Sequence, residues 1–196
     1  MTLYPWLEES HRQLMKRGRK LPHGLLLTGP GGTGKLLLAR KLAQTLLCSQ
    51  GKDHIPCEEC TACHLFSRGH HPDYHLLTSQ AKHGQGDSFL FGPAVRYLSK
   101  SNTRDRNKVN LRRVISVDQV RALTRELDVT SHLGIGKVIV ICPADQMNLN
   151  AANALLKVLE EPTIGTYFLL VTGFPYALPA TIRSRCIQSR VQLPKE

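Results

Sequence analysis

Short apolar stretches and amphipathic segments alternate along this chain. Stretches of four to six largely apolar residues have the length of buried strands, and they lie at 24–28, 74–77, 137–142 and 167–172. A fifth and weaker candidate is 187–193. Strands that are apolar at successive positions are typical of a parallel sheet covered on both faces. The pattern therefore predicts an α/β fold, with a parallel five-stranded sheet flanked by helices.

Apolar residues three to four positions apart predict helices between these strands. The segments with this spacing are 6–17, 34–48, 117–127 and 149–160. Ser116 stands where the third helix needs an N-cap. The residues of the last helix expected to pack inward are Leu149, Ala152, Leu156 and Leu159. Those expected to face solvent or a neighbour are Asn153, Lys157 and Glu160.

The composition is that of a folded, basic protein. Hydrophobic residues make up 41% of the 196, and the formal net charge is +11. No apolar run approaches the roughly 20 residues of a membrane helix. The N-terminus lacks the basic and apolar pattern of a signal peptide. We therefore expect a cytoplasmic protein without a membrane segment.

More than half of the net charge falls in one stretch. Residues 80–113 carry two acidic residues against eight basic ones, which are Lys82, Arg96, Lys100, Arg104, Arg106, Lys108, Arg112 and Arg113. Because the stretch shows little periodicity, we expect a flexible insert at about 79–113. It is either a solvated loop or a contact for nucleic-acid phosphates. The aromatic residues available there for base stacking are Phe89, Phe91 and Tyr97.

Four of the six cysteines lie within sixteen residues, at Cys48, Cys57, Cys60 and Cys63. Such clustering in a chain without a secretory signal favours a metal site over disulfides. Four thiolates would close a tetrahedral structural zinc site. Alternatives are His54 or His64 in place of one cysteine, free thiols, or an iron–sulfur cluster, whose usual spacing differs.

A phosphate-binding loop lies between the first strand and the following helix. Residues 29–36 read GPGGTGKL. Gly29, Gly34 and Lys35 match the pattern that cradles phosphates with backbone N–H groups and a lysine. Leu36 stands where a Ser or Thr hydroxyl would hold Mg²⁺. The strand at 137–142 also lacks the paired acidic residues that metal-assisted hydrolysis needs directly after it. Nucleotide binding without hydrolysis and a purely structural turn both remain open.

Several segments together resemble the clamp-loader subunits of the AAA+ superfamily, across residues 3–191 apart from the insert. The segments are the phosphate loop, the cysteine module running into GHHPD at 69–73, NALLKVLEEP at 153–162 and SRC at 184–186. The degenerate loop favours the delta-prime type over the gamma/tau ATPases. The opening YPWL at 4–7 also resembles delta-prime.

The resemblance implies a role for Arg185. In this family the arginine of SRC points at a neighbouring subunit's ATP and stabilises charge on its phosphates, so Arg185 would act in trans. Without the resemblance, Arg185 is a surface or helix-capping residue. The resemblance also implies that Thr172 occupies a vestigial sensor position.

The resemblance further implies a subunit of the bacterial DNA polymerase III clamp loader. Its partners would be gamma/tau and delta subunits and, indirectly, the sliding clamp and primed DNA. Residues 1–193 would form the AAA+ core domain, containing the zinc module at 48–63. The family's lid and collar would follow, so we expect a fragment. An active ATPase subunit and a nucleic-acid-binding module are the alternative functions.

Overall fold

The computed structural model describes residues 3–16, 21–51, 55–85, 88–98 and 112–192. The strands are β1 (Gly24–Thr28), β2 (Tyr74–Leu77), β3 (Lys137–Ile141), β4 (Thr166–Thr172) and β5 (Ile187–Arg190). The helices are α1 (Pro5–Met15), α2 (Lys35–Leu46), α3 (Thr61–Ser67), α4 (Gln80–Gln85), α5 (Ser88–Phe91), α6 (Val117–Leu127), α7 (Leu149–Glu160) and α8 (Ala180–Ser184). Short 3₁₀ turns occupy Gly92–Tyr97, Ala144–Gln146 and Pro175–Ala177.

All five strands pair in parallel in the order β2-β3-β4-β1-β5. This confirms the predicted fold class. Because the strands are parallel, their C-terminal ends meet along one side of the sheet, which we call the carboxyl edge. The opposite side, where the strands begin, is the amino edge.

Alternate residues of each strand serve two separate cores, as the period of two in a strand requires. In β1, Leu25 and Leu27 join the core that also contains α1 and α2. Leu26 joins the core beneath α6 and α7 on the other face. The side chains of these three leucines are fully buried. The sheet is therefore covered by helices on both faces, which explains why its strands are apolar at successive positions.

The predicted N-cap of α6 is present as a capping box. The Gln119 side chain accepts the Ser116 N–H at 2.9 Å. It also donates to the carbonyl of Thr78 at 2.9 Å, just past the end of β2. Gln119 therefore caps the first turn of α6 and also connects the start of this helix to the sheet.

The inward face of α7 differs from the prediction. The buried residues are Ala151, Ala152, Leu155 and Leu159. Leu149 is 67% exposed, and Leu156 is only partly buried. Leu149 opens the helix directly after the Asn148 cap, before the helix reaches the core. The two alanines are small enough to let α7 pack closely on the core, so Ala151 and Leu155 are buried in place of Leu149 and Leu156.

The insert at 79–113 is more ordered than expected where the structure describes it. It forms α4, α5 and a 3₁₀ turn. Its buried residues are Ala81, Phe91, Ala94 and Tyr97. Apolar contacts with the two cores therefore hold this part in place. The expectation of an irregular insert is therefore corrected for 80–85 and 88–98, while residues 86–87 and 99–111 lie outside the described part.

Strand β5 ends at Arg190 rather than continuing to 193, and Leu193 lies outside the described residues. None of the helices among the described residues is long and apolar enough to cross a membrane.

Candidate functional site

The loop after β1 is shaped by two glycines. Gly29 has φ +143°, and a Cβ there would lie 2.3 Å from the carbonyl oxygen of Val191. Gly34 has φ +81°, and a Cβ there would lie 2.8 Å from Leu7 Cδ1. Side chains at these positions would collide with the chain after β5 and with α1. Packing therefore requires glycine at these two positions, whereas a Cβ on Gly31 or Gly32 would meet open space.

The Lys35 ammonium is directed at its own loop. Its Nζ donates to the Gly29 carbonyl at 2.8 Å, to Thr33 Oγ1 at 3.3 Å and to the Pro30 carbonyl. Burial lowers the pKa of Lys35, which the nearby Cys142 and Asp145 oppose. These hydrogen bonds connect Lys35 to three residues of the loop and stabilise its conformation.

The positions that would serve metal-assisted hydrolysis carry other groups. Leu36 packs against the core beside α1 and α2. Cys142 lies directly after β3, and burial raises its pKa to about 12, so it is a neutral thiol at pH 7. Asp145 accepts a hydrogen bond from Thr172 Oγ1, and Thr172 Oγ1 accepts the Phe174 N–H at 2.8 Å. The predicted sensor position therefore links the ends of β3 and β4.

The four clustered cysteines converge as the spacing predicts. Their sulfur atoms all lie within 4.8 Å of one another, so together they can hold a metal ion. Cys48 Sγ is 3.5 Å from Cys57 Sγ and 3.9 Å from Cys60 Sγ, and Cys57 Sγ is 4.0 Å from Cys63 Sγ. A zinc–sulfur bond of about 2.3 Å gives a tetrahedral edge of about 3.8 Å. These distances fit that edge.

Backbone N–H groups surround the cluster. The amides of Cys57, Cys60 and Cys63 donate to the preceding cysteine sulfurs at 3.3–3.5 Å. Burial raises the pKa of Cys60, but hydrogen bonds from Ser49 and the Cys63 amide outweigh it and bring the pKa to about 5. Burial raises the pKa of Cys63 and of Cys48. A bound metal cation would hold all four sulfurs as thiolates, because metal ligation requires the deprotonated form.

A helix that the sequence pattern did not reveal completes the cysteine module. Cys60 caps α3, and Phe66 of α3 is buried against Tyr74 with ring centroids 4.8 Å apart. The Arg40 guanidinium lies 4.9 Å from the Phe66 ring centroid. The cysteine module therefore packs against the apolar core through Phe66, which its sequence did not indicate.

Asp73, within the GHHPD segment, also has a structural role that the sequence pattern did not reveal. Its fully buried carboxylate accepts the N–H groups of His132 at 2.8 Å and Leu133 at 3.0 Å. Burial raises the pKa of Asp73, but these donors outweigh it and hold the pKa below its ordinary value. Leu133 packs against the cysteine cluster. Asp73 thereby fixes the loop that covers the cluster.

Arg185 lies at the amino edge, between α8 and β5. Its Nη1 donates to the Thr181 carbonyl at 3.0 Å, and its Nη2 lies 2.5 Å from Glu160 Oε1. The Arg185 side chain remains 35% exposed. Local sequence pattern does not indicate a partner for Glu160, because the contact joins residues that are far apart in the chain.

Arg185 and the phosphate loop stand at opposite edges of one sheet. A Cβ on Gly24, the first residue of β1, would lie 2.8 Å from the Arg185 carbonyl oxygen. The phosphate loop begins after Thr28, the last residue of β1. Four residue steps at about 3.3 Å each separate these ends by about 13 Å. The sheet therefore keeps Arg185 away from this chain's own loop.

The basic insert is only partly described. Arg96 Nη1 donates to the Pro72 carbonyl at 3.1 Å, and Lys82 Nζ lies 5.9 Å from the centre of the Phe91 ring. Arg96 therefore contacts a residue outside the insert, whereas the Lys82 contact lies within the insert, and both side chains are exposed. The predicted basic residues outside the described part are Lys100, Arg104, Arg106 and Lys108.

Comparison with known families matches residues 8–195 to the family described as DNA polymerase III, delta subunit. The DNA polymerase III subunit delta' of Pseudomonas aeruginosa is 38% identical over 192 residues, covering 98% of this chain and 49% of that protein. The subunit delta' of Escherichia coli is 35% identical over 189 residues, covering 95% and 48%. The chain thus spans about half the length of the curated relatives it matches.

A solved structure gives an independent likeness of fold. The DNA polymerase III gamma subunit-related protein of Thermotoga maritima superposes with a TM-score of 0.58 at 19% identity. The match covers 97% of this chain and 47% of that one. At this identity the likeness shows the fold alone, and that fold is the one predicted for an AAA+ clamp-loader core.

Proposed function

Since this chain belongs to the DNA polymerase III delta' family, we propose that it acts as a non-hydrolysing structural subunit of the bacterial clamp loader. In that role it helps load the sliding clamp onto primed DNA. Its partners are the gamma/tau and delta subunits, and its location is the cytoplasm. Residues 1–193 form the AAA+ core domain of this subunit.

The catalytic contribution that we propose is Arg185, offered to the ATP of a neighbouring ATPase subunit. The observation that carries the proposal is the separation of Arg185 from its own phosphate loop by the length of β1. An arginine held at the far edge can reach a nucleotide only on another molecule. A partly exposed guanidinium can donate to phosphate oxygens in a bidentate manner. There it stabilises charge that develops during phosphoryl transfer.

The absence of hydrolysis in this chain's own loop is supported by three side chains. Leu36 and the neutral thiol of Cys142 are poor ligands for Mg²⁺. Leu36 is partly buried against the core, and Cys142 is buried. Lys35 is directed at the carbonyls of its own loop. We propose that the loop, with Gly29, Gly34 and Lys35, serves the packing of β1 against α1 and β5 rather than the binding of a nucleotide.

We further propose that Cys48, Cys57, Cys60 and Cys63 hold one structural zinc ion. Their sulfur separations and the backbone N–H donors support this assignment. Four protein ligands leave no position for water or substrate, so zinc would supply folding stability and no chemistry. The ion would join the end of α2 to the start of α3.

Two alternatives remain in competition. An active gamma/tau-type ATPase would turn over ATP without a partner. A nucleic-acid-binding module acting through the basic insert would bind DNA tightly, with strong salt dependence. Of the two basic side chains described above, Arg96 already donates to the Pro72 carbonyl, while Lys82 is exposed.

The proposal is tested by measuring ATP turnover of the complete protein alone, with Mg²⁺, and then after assembly with its ATPase partner. We expect no turnover by the protein alone, because the metal-binding side chains are missing. We expect the partner's turnover to rise on assembly. Turnover by the pure protein would contradict the non-hydrolysing role, and a partner that gains no activity would contradict the donation of Arg185.

A further inference from the structure

We infer that Glu160 is a positioning residue for Arg185. Arg185 Nη2 lies 2.5 Å from Glu160 Oε1. Glu160 is the last residue of α7, whereas Arg185 follows α8. Pairing across two elements fixes the guanidinium relative to both. This inference rests on the proposed trans-acting role of Arg185.

A second contact restricts the same guanidinium. Arg185 Nη1 donates to the Thr181 carbonyl at 3.0 Å. The guanidinium carries several N–H donors in a rigid planar fork, and the contacts to Thr181 and Glu160 use only part of them. The remaining donors are available to a phosphate while the fork keeps one orientation.

The backbone of Arg185 is fixed independently of its side chain. A Cβ on Gly24 would lie 2.8 Å from the Arg185 carbonyl oxygen and 3.2 Å from Cys186 Sγ. Cys186 itself is only 7% exposed and belongs to the core beneath α6 and α7. Because the backbone is pinned in this way, the guanidinium can move only through its own side-chain torsions. Glu160 and Thr181 restrict those torsions.

The exposure of the ion pair indicates what Glu160 contributes. The side chains of Arg185 and Glu160 are 35% and 47% exposed. Ion pairs at this exposure add little to folding stability. Loss of the carboxylate would therefore leave the fold intact and release a long, flexible side chain. Misplacing a catalytic group by about 1 Å can cost about 10²-fold in rate, so orientation is where the effect should appear.

The test uses Glu160→Ala in the complete protein, assembled with its ATPase partner. We expect the partner's kcat for ATP to fall between about 10-fold and about 10²-fold, with KM and the unfolding temperature unchanged. Glu160→Gln keeps an acceptor oxygen in the same place and should restore most of the rate. Glu161→Ala is the matched control, since it removes a charge from the same helix end where the side chain is exposed. It should behave as wild type.

Two further variants separate this inference from the proposed function. If Arg185→Ala leaves the partner's kcat unchanged, the role of Arg185 fails and Glu160 has nothing to position. If Arg185→Ala lowers kcat while Glu160→Ala does not, only the positioning role is overturned. We expect the double variant to match Arg185→Ala, because coupled residues are not additive. An additive loss, or a rise in kcat with Glu160→Ala, would also overturn it.

A direct readout of orientation needs no partner. Relaxation of the Arg185 ¹⁵Nε–H group in the complete protein should reveal greater mobility in Glu160→Ala than in wild type or Glu160→Gln. Equal mobility in all three proteins would refute the positioning role.

Discussion

At the residue scale, the contrast between Lys35 and Arg185 carries the functional argument. Lys35 is 8% exposed and donates to the carbonyls of its own loop. Arg185 is partly exposed and keeps part of its donor fork free of the described contacts. We therefore propose a structural role for Lys35 of the phosphate-loop motif, and a role in a neighbouring subunit for Arg185 of the SRC tripeptide.

Replacement of Lys35 tests whether the loop is structural. We expect Lys35→Met to lower the free energy of unfolding by about 1 kcal/mol, because the acceptors at Gly29, Pro30 and Thr33 lose a charged donor. Urea unfolding at pH 7 measures this change. Lys157→Met, which alters an exposed lysine on α7, is the control and should be near neutral. Unchanged stability together with lost ATP binding would identify the loop as a nucleotide site instead.

At the scale of elements, the cysteine module depends on both packing and metal ligation. Phe66 anchors α3 to the core, and Asp73 holds the loop that covers the cluster. Neither contact joins the segment before Cys57 to α2. Among the described residues, the sulfur cluster, which includes Cys48 just after α2, joins this segment to α2, and the Lys41–Glu58 ion pair at 3.3 Å adds a second contact just after Cys57. The metal should therefore matter most for residues 48–60.

Metal analysis of the purified complete protein should find about one zinc per chain, bound by four thiolates. Cys60→Ser should lower zinc content, reduce the unfolding temperature and expose 49–56 to protease. Acid should release the zinc, because the ligands must be deprotonated. His64→Ala is the control for the alternative ligand and should retain zinc. Full zinc occupancy in Cys60→Ser, or its loss in His64→Ala, would contradict the assignment.

At the scale of the whole molecule, the parallel sheet keeps apart two edges to which we propose different roles. The carboxyl edge carries the degenerate phosphate loop, and the amino edge carries Arg185. A subunit built this way can face a neighbour's nucleotide with one edge without using its own. The geometry suits a member of an assembly whose catalytic power resides in adjacent subunits.

How far the sequence predicts this molecule depends on the range of the interactions. The strands and the main helices follow from local apolar spacing, and the cysteine cluster follows from sequence proximity. The inward face of α7 was predicted correctly at Ala152 and Leu159, but Ala151 and Leu155 are buried in place of Leu149 and Leu156. Helix α3 was missed because its seven residues carry too few apolar positions to reveal a period.

Contacts between distant segments could not be predicted at all. The pairing of Glu160 with Arg185 and that of Asp73 with Leu133 depend on how α7, α8 and the loop before β3 fold together. Glu160 looks solvent-facing and Asp73 is unassigned in the sequence alone. Local pattern cannot indicate which charged residue will find a partner in the folded chain.

The most direct test of the central claim is the rate of ATP hydrolysis by the ATPase partner in the assembled complex. We predict that Arg185→Ala lowers kcat by about 10³-fold, the usual scale for an arginine finger, while assembly and the unfolding temperature stay unchanged. Arg190→Ala, which removes an exposed arginine from β5, should leave kcat at the wild-type value. Equal kcat for the Arg185→Ala and wild-type complexes would contradict the account.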